Sequence, residues 1–326
     1  MKTIGLFCGG YSSEFEISMK SSELIFENLP DEYNAVKIIV TEDQWYGQID
    51  DSKYHFDMNR CEVQMEAELI PIDIGIVCIH GNPGENGKVQ AFLELKNIPC
   101  VNSDFQSSSL SFDKYLCNQY LKAQGIPTAK AMSIQKNEKY NAQEICSELG
   151  LPLFVKPTDS GSSYGISKVY TADELPNAID IAFNEGDAII LESFLDGIEL
   201  TCAVFKGIDG ITALPITQII SENDFFDYDA KYNGKSSEET PANIEKSLSD
   251  HIQSLSRNVY EILRLKSIAR IDYIVVDGSP NVIEVNTIPG FSEASIVPQM
   301  LKCAGIEIKA FWKMVIDEEL NTPPSH

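Results

Sequence analysis

Cations are scarce in this chain. Its 326 residues include 25 Lys and Arg against 49 Asp and Glu, a formal net charge of −24. A field of that sign repels a phosphate backbone, which argues against nucleic acid as a partner. It leaves room for a nucleotide wherever local lysines and metal ions reverse the sign. Histidine is also rare, at four residues, and too scattered for a His-rich metal site. None of the eight cysteines falls in a C-x-x-C pair or a repeated Cys/His spacing, which argues against zinc modules and a disulfide framework. Cys8, Cys78 and Cys202 sit in apolar strand-like runs and are expected as small buried hydrophobes in a reducing compartment. No apolar run is long enough to cross a bilayer, so no membrane partner is expected. The opening "MKTIGLFCGG" has too short an apolar stretch for a signal peptide. It is expected as a first strand, with the cytoplasm as the setting. Internal repeats and low-complexity segments are missing, as are the P-loop pattern GxxxxGK(S/T) and a Rossmann phosphate turn.

Hydrophobic residues make up 43% of the chain, and its length suits two or three domains with a substantial core. The first hundred or so residues alternate strand and helix. "TIGLFCG" reads as a strand, "SSEFEISMKSSELIFENL" as a helix, "AVKIIV" and "DIGIVCIH" as strands, and "KVQAFLELKN" as a helix leading into strand "IPCVN". "DIGIVCIH" is apolar on both faces, as buried parallel strands are. This pattern predicts an open α/β, Rossmann-like domain over residues 1–103. Ligands of such domains sit at the carboxyl ends of the strands, where Glu14 and His80 lie. The Ser-rich "NSDFQSSSLSFD" reads as a boundary. A second, α+β unit is expected over residues 104–191, with helices "KYLCNQYLKAQ", "AQEICSELG" and "ADELPNAIDIAFNEG" and strands "LPLFVKP", "ISKVY" and "DAIILES". Pro176 fits only within the first turn of its helix. A third unit, residues 192–326, opens with the antiparallel-looking strands "IELTCAVFKG" and "ITALPITQII". It continues with helix "HIQSLSRNVYEILRL", whose Ile252, Leu255, Val259, Ile262 and Leu263 recur at helical spacing.

The most informative stretch is "ARIDYIVVDGSPNVIEVNTIPG", two apolar strands around a turn at "DGSPN". Strand side chains alternate between faces, so Arg270 shares a face with Asp272, and Glu284 with Asn286. A hairpin centred on Gly278 places Asp272 opposite Glu284 and Arg270 opposite Asn286, with Ile271, Tyr273, Ile283 and Val285 on the other side. Facing carboxylates repel. A cation between them removes the repulsion, and magnesium suits two carboxylates, an amide oxygen and phosphate oxygens. The competing reading is a solvated outer face carrying one Arg–Asp pair.

Other motifs carry weaker signals. "VKPTDSGSSYGISKV" is a Gly/Ser loop preceded by Lys156. Gly161 and Gly165 permit tight turning, backbone N–H groups there can form an anion nest, and Ser162 and Ser163 add hydroxyls. The plain reading is a hairpin turn. In "GGYSSEFEIS", Ser13 and Glu16 have capping-box spacing. That leaves Glu14 either to favour the helix dipole or to bind an ammonium group. "HGNPGENGKVQ" begins with His80, as a substrate contact or a hydrogen bond within the loop. "SENDFFDYDAKYNGKSSEETPA" is long, polar and aperiodic, yet holds Phe225, Phe226, Tyr228 and Tyr232. It reads as a lid bearing Lys231 and Tyr232 that closes over a site to exclude water. In "NTIPGFSEAS", Gly290 can present an N–H and Ser295 a hydroxyl, or the segment is an ordinary Pro-Gly turn.

Taken in order, "GLFCGGYSSEFEIS", "HGNPGENG", "FDKYLCNQYLKAQGIP", "LPLFVKPTDSGSSYGISKV", "FFDYDAKY", "RIDY" and "IEVNTIPG" resemble the D-alanine–D-alanine ligases of the ATP-grasp superfamily. The resemblance covers nearly the whole chain. It implies an ATP-grasp fold behind the N-terminal α/β domain, with ATP between the antiparallel sheets of the second and third units. It also implies a homodimer formed through the first unit, D-alanine and ATP as substrates, and two Mg2+ or Mn2+ ions. Lys114 and Lys156 would contact the ATP phosphates beneath the loop of Ser162 and Ser163. Glu192 would lie by the adenine, the backbone of Phe194 and Leu195 along the hinge, and Glu199 at the ribose. Lys231 would reach the terminal phosphate. Asp272, Glu284 and Asn286 would hold the metal ions, with Glu284 bridging them. Glu14, in a hydrogen-bonded set with Ser162 and Tyr232, would hold the ammonium of the first D-alanine, with Ser18 and His80 on the same substrate. Arg270 and the Gly290 N–H would form an oxyanion hole. Ser295, with Lys231, would bind the second carboxylate, beside Ile296. Tyr232 implies a dipeptide product, while Phe226, Glu293 and Ala294 depart from residues frequent among relatives. Competing functions are another ATP-grasp carboxylate–amine ligase, of the D-Ala–D-Ser or D-Ala–D-lactate type, and a non-catalytic nucleotide-binding module.

Overall fold

A computed structural model describes residues 1–66, 68–159, 165–221 and 236–321. The expectations placed on Gly161, Ser162, Ser163, Phe225, Phe226, Tyr228, Lys231 and Tyr232 lie outside these residues.

The first sheet has its apolar centre in β1 (Thr3–Gly9), β2 (Asn34–Val40) and β7 (Ile74–Val77), with β1 parallel to both neighbours. Every residue of β1 and β7 is buried, as the unbroken apolar runs require. Helices α1 (Phe15–Glu27) and α2 (Lys88–Leu95) accompany them. The sheet then runs on through β3 (Trp45–Ile49), β4 (Ser52–Asp57), β5 (Glu62–Gln64) and β6 (Leu69–Pro71), in the order β6-β5-β4-β3-β2-β1-β7. This antiparallel meander was not expected. Its strands are three to six residues long and half polar, so pairing rather than local pattern makes them strands. Conversely, "IPCVN" is no strand: Cys100 alone bridges to Gly75.

The Ser-rich segment expected as a boundary is a helix, α3 (Phe105–Phe112), followed at once by α4 (Lys114–Ala123). Asp104 caps α3 by accepting from the Ser107 N–H at 2.8 Å, and Asp113 caps α4 by accepting from the Leu116 N–H at 2.9 Å. Serine favours loops because its hydroxyl competes for backbone groups. Here the hydroxyls are used inside the fold, Ser108 donating to the Ser103 carbonyl and Ser107 to that of Arg264.

The second sheet comprises β8 (Ala131–Gln135), β9 (Leu153–Pro157), β10 (Ser167–Val169) and β11 (Ala188–Ser193), antiparallel in the order β10-β9-β11-β8. Helices α5 (Ala142–Leu149) and α6 (Leu175–Ala182) cover it, placing Ile145, Leu149, Leu175 and Ile179 in one cluster with Leu153, Val155, Ile189 and Leu191. Pro176 lies in the first turn of α6.

The third sheet runs β15-β14-β12-β16-β17, all antiparallel, from β12 (Ile198–Gly207), β13 (Gly210–Ala213), β14 (Thr217–Ser221), β15 (Ser236–Glu239), β16 (Ile268–Val276) and β17 (Ser279–Asn286), with β13 paired to β12. Two expectations change here. "ITALPITQII" is two strands, broken where Pro215 has no N–H to donate. Residues 236–239, assigned to the lid, form a strand on β14. Along β12, Leu200, Cys202 and Val204 face a core shared with α7 (Lys246–Ile262), while Ala203 and Phe205 face another. The second core contains Ile4, Leu6, Ile74 and Ile76 of the first sheet, together with α8 (Ile296–Cys303) and α9 (Ile308–Asn321). Phe291, Phe311 and Trp312 pack together within it at centroid distances of 5.0–5.7 Å, Phe291 stacked on Phe311 and Trp312 edge-on to Phe311. Each such buried side chain contributes about 1.5–3 kcal/mol, and one core holds residues of both the first and the third sheet.

Two glycines test this geometry for different reasons. A Cβ on Gly84 would stand 2.1 Å from the Ile79 carbonyl oxygen, where the "HGNPGENG" loop folds back on its own strand. Gly278 has open space but a φ of 78°. Gly84→Ala is expected to destabilise by about 3 kcal/mol and Gly278→Ala by about 1 kcal/mol, read as shifts in the denaturant midpoint.

Candidate active site

A cavity of about 560 Å³ lies where α1, the second sheet and one face of the third sheet meet. Its floor is the β16–β17 hairpin. The turn is two residues long, Asp277 and Gly278, with φ of 49° and 78°, and Val276 pairs with Ser279. Left alone, that register would place Asp272 opposite Ile283. A bulge intervenes: Tyr273 pairs with Val282 but Asp272 with Glu284, and Arg270 with Asn286. The expected pairing of the polar groups is therefore present, reached by a different route. The bulge also turns Ile283 onto the cavity wall, while Val282 takes the core position expected of it.

Charge on the floor is tightly paired. Asp272 accepts from Arg270 Nε and Nη2, both at 2.8 Å, from Thr201 Oγ1 at 2.6 Å and from Asn286 Nδ2 at 3.0 Å. Burial alone would lower the Arg270 pKa; the Asp272 charge outweighs it and the net direction is up. Arg270, expected to be available to substrate oxygen, thus has two nitrogens engaged in the Arg–Asp pair of the competing reading. Lys114 Nζ lies 3.0 Å from Glu284 Oε1, and Glu284 lifts the Lys114 pKa against the opposing effect of burial. Lysine and arginine thereby offset the repulsion between facing carboxylates that suggested a cation. The donor set still fits a hard cation: Asp272, Glu284 and Asn286 present oxygen chemistry to one wall. Among the described residues no cluster of three His, Cys, Asp or Glu side chains is placed to hold a metal. The third protein donor would therefore be the amide.

On the second sheet, Lys156 Nζ contacts Glu192 Oε2 at 2.5 Å, and both line the cavity with Leu195 and Glu199. Phe194 does not. Its N–H donates to the Pro152 carbonyl at 3.3 Å, and its ring lies 4.0 Å beneath Lys168 Nζ. The neighbouring Phe154 ring forms the wall instead.

The first domain contributes Glu14, His80 and Glu85. Glu14 is the residue before α1, and the expected capping box is not formed: no side chain caps this helix. Ser12 acts there instead, accepting from the Glu14 N–H at 3.3 Å and donating to the His80 carbonyl at 2.9 Å. His80 is 6% exposed, and its Nε2 has no partner among the described residues. Burial lowers its pKa against the pull of Glu14 and the Ile288 carbonyl, which leaves a neutral imidazole. Ser18 is off the wall. Its hydroxyl accepts from the Gly9 N–H at 2.8 Å and donates to the Cys78 carbonyl at 2.5 Å, tying α1 to the strand ends. Gly290, Ser295 and Ile296 line the far end, where Ser292 N–H donates to Ser295 Oγ at 2.9 Å and the two hydroxyls lie 2.8 Å apart.

Sequence reasoning missed Thr201, Glu85, Glu238 and Ser292. Thr201 was reachable: it lies two residues from Glu199 on the same face of β12. Glu85 and Glu238 carried no local signal. Glu85 accepts from the Gly81 N–H at 2.7 Å, and burial, reinforced by Glu14, raises its pKa to about 8.

The sign of that shift gives a test. Between the ordinary value of 4.5 and about 8, the folded protein retains a proton that the unfolded chain has released. Stability must therefore fall as pH rises through this window. Glu85→Gln is expected to flatten most of that slope, measured by denaturant melts of the nucleotide-free protein from pH 4.5 to 8.5.

Two family models match the chain. Residues 3–103 match the family model "D-ala D-ala ligase N-terminus" and residues 120–317 match "D-ala D-ala ligase C-terminus". A D-alanine–D-alanine ligase of Flavobacterium johnsoniae is 41% identical over 322 residues, covering 98% of this chain and 100% of the relative. One from Parabacteroides distasonis is 38% identical over 98% of both chains. Among solved structures, the VanG D-Ala:D-Ser ligase of Enterococcus faecalis superposes with a TM-score of 0.88 at 30% identity, covering 98% of this chain and 99% of that one. The ATP complex of the Bacillus anthracis D-alanine–D-alanine ligase superposes with a TM-score of 0.79 at 29% identity, covering 98% of each chain. With both halves matched and relatives aligned end to end, the chain belongs to the D-alanine–D-alanine ligase family, on the ATP-grasp fold.

Proposed function

We propose that the protein is an ATP-dependent D-alanine–D-alanine ligase that makes the dipeptide for peptidoglycan synthesis. One observation carries the reading. Carboxylate and imidazole from the first domain, the Lys156–Glu192 pair from the second sheet, and Arg270, Asp272, Glu284 and Asn286 from the hairpin open onto one cavity.

Joining an acid to an amine requires a better leaving group than oxide. The carboxylate of the first D-alanine attacks the γ-phosphorus of ATP, forming an acyl phosphate and ADP. The second D-alanine, once its ammonium has lost a proton, attacks the acyl carbon through nitrogen; phosphate leaves and the nitrogen sheds a further proton. Glu14 suits the first ammonium, since it is an acceptor beside a neutral His80. Lys114 and Lys156 suit the ATP phosphates, and Arg270 with the Gly290 N–H suits the oxygen that gains charge at the acyl carbon. Glu192, Leu195 and Glu199 line the nucleoside side. Asp272, Glu284 and Asn286 would hold two magnesium or manganese ions, which when bound offset phosphate charge. Ser18, off the wall, would act by fixing α1 and hence Glu14.

The reading further assigns residues 1–103 to the first substrate and to a homodimer contact, residues 104–191 and 192–326 to the two halves of the ATP site, and the cytoplasm as the setting. No helix among the described residues is long and apolar enough to cross a membrane.

A second reading, D-Ala–D-Ser synthesis, is favoured by the similarity to the VanG structure. Phosphate release with ATP, Mg2+ and D-alanine is expected to be rapid and to exceed that with D-serine or D-lactate as second substrate. Turnover of L-alanine alone, or ATP hydrolysis indifferent to D-alanine, would overturn the proposal. Arg270→Lys, which keeps a charge beside Asp272 but loses the fork, is expected to lower kcat by roughly 10²–10³.

A further inference from the structure

Glu238 is a carboxylate that the roles above leave unused. It sits on β15, at the edge of the third sheet. Register across the sheet places Glu238 beside Ile219, Ile219 beside Glu199, and Glu199 beside Ile274. All four line the cavity. Asp272 is bound by Arg270 and Glu284 by Lys114. Among the described residues, the hydrogen bond to Glu238 comes instead from a neutral group, the Gln299 amide of α8, at 2.9 Å. Among the described residues, no Lys or Arg forms an ion pair with it. The same Gln299 nitrogen donates to the Ala294 carbonyl at 3.2 Å, within the turn that carries Ser292 and Ser295. One side chain thus fastens a carboxylate to the hydroxyl-bearing turn at the end of the cavity assigned to the second amino acid.

An α-amino acid carries its ammonium and its carboxylate on a single carbon. A site for one needs an anion and neutral donors side by side, and this corner supplies both. Burial raises the Glu238 pKa, and the Gln299 hydrogen bond, with the charge of Arg270, favours the ionised form against it. We propose that Glu238, held by Gln299, receives the ammonium of the second substrate and so selects an amino acid over a hydroxy acid. The inference rests on the ligase reading above.

Glu238→Gln keeps size and a hydrogen-bond acceptor while removing charge. A charge-assisted hydrogen bond of this kind corresponds to a change of roughly 10–100-fold. The expected result is a rise of that order in KM for the second D-alanine, with KM for ATP and for the first D-alanine within about twofold. The rate with D-lactate relative to D-alanine is expected to rise at least tenfold, and Glu238→Asp to restore part of the preference. Gln299→Leu, which frees the carboxylate without neutralising it, is expected to give a smaller shift in the same direction, and serves should Glu238→Gln not fold. An unchanged second KM and an unchanged D-lactate to D-alanine ratio in either variant would overturn the inference. Failure of the unmodified protein to ligate D-alanine would instead overturn the function on which it rests.

Discussion

Three ion pairs set the terms for this cavity: Lys114 with Glu284, Lys156 with Glu192, and Arg270 with Asp272. Removing such charges from water is unfavourable unless each has a partner in good geometry. The first pair ties α4 to the hairpin and the second ties β9 to β11, so neutrality and architecture are one constraint. A consequence concerns how ligands arrive. On the proposed reading, an entering phosphate would compete with Glu284 and Glu192 for Lys114 and Lys156. Each lysine it draws away leaves a carboxylate exposed to its neighbours unless a cation takes its place. On that reading, nucleotide and divalent ion would thereby be linked, the binding of one improving the site for the other.

The opposite wall follows another rule. Glu14, His80 and Glu85 crowd together at strand ends, and the protein relieves the crowding by protonation. Glu85 is raised by burial and by Glu14, while His80 is kept neutral. Glu14 is the acceptor that lines the cavity beside them.

Much of this was legible in the residues. β12 has the bounds its apolar run predicts, and Arg270, Asp272, Glu284 and Asn286 pair as alternation requires. The illegible parts share a physical cause. β3 to β6 are strands because of what they pair with, not what they contain. α3 is a helix because Asp104 caps it and its serines find partners inside the fold, information that lies elsewhere in the chain. Glu238 looked like loop because its strand exists only by pairing with β14. The bidentate grip of Arg270 on Asp272 was out of reach for a related reason: its alternation was visible, but the grip depends on side-chain geometry that spacing does not encode.

The extra residue at Ile283 has one more implication. Turn and site lie on the same ribbon, and without it any change in the number of turn residues would rotate every side chain beyond by half a pleat. Housing the odd residue between them makes the hairpin tip and the acidic floor separately adjustable. A longer connection at Asp277 and Gly278 can be absorbed by smoothing the kink, so the outer end of this ribbon can drift over evolutionary time while its inner end stays in register.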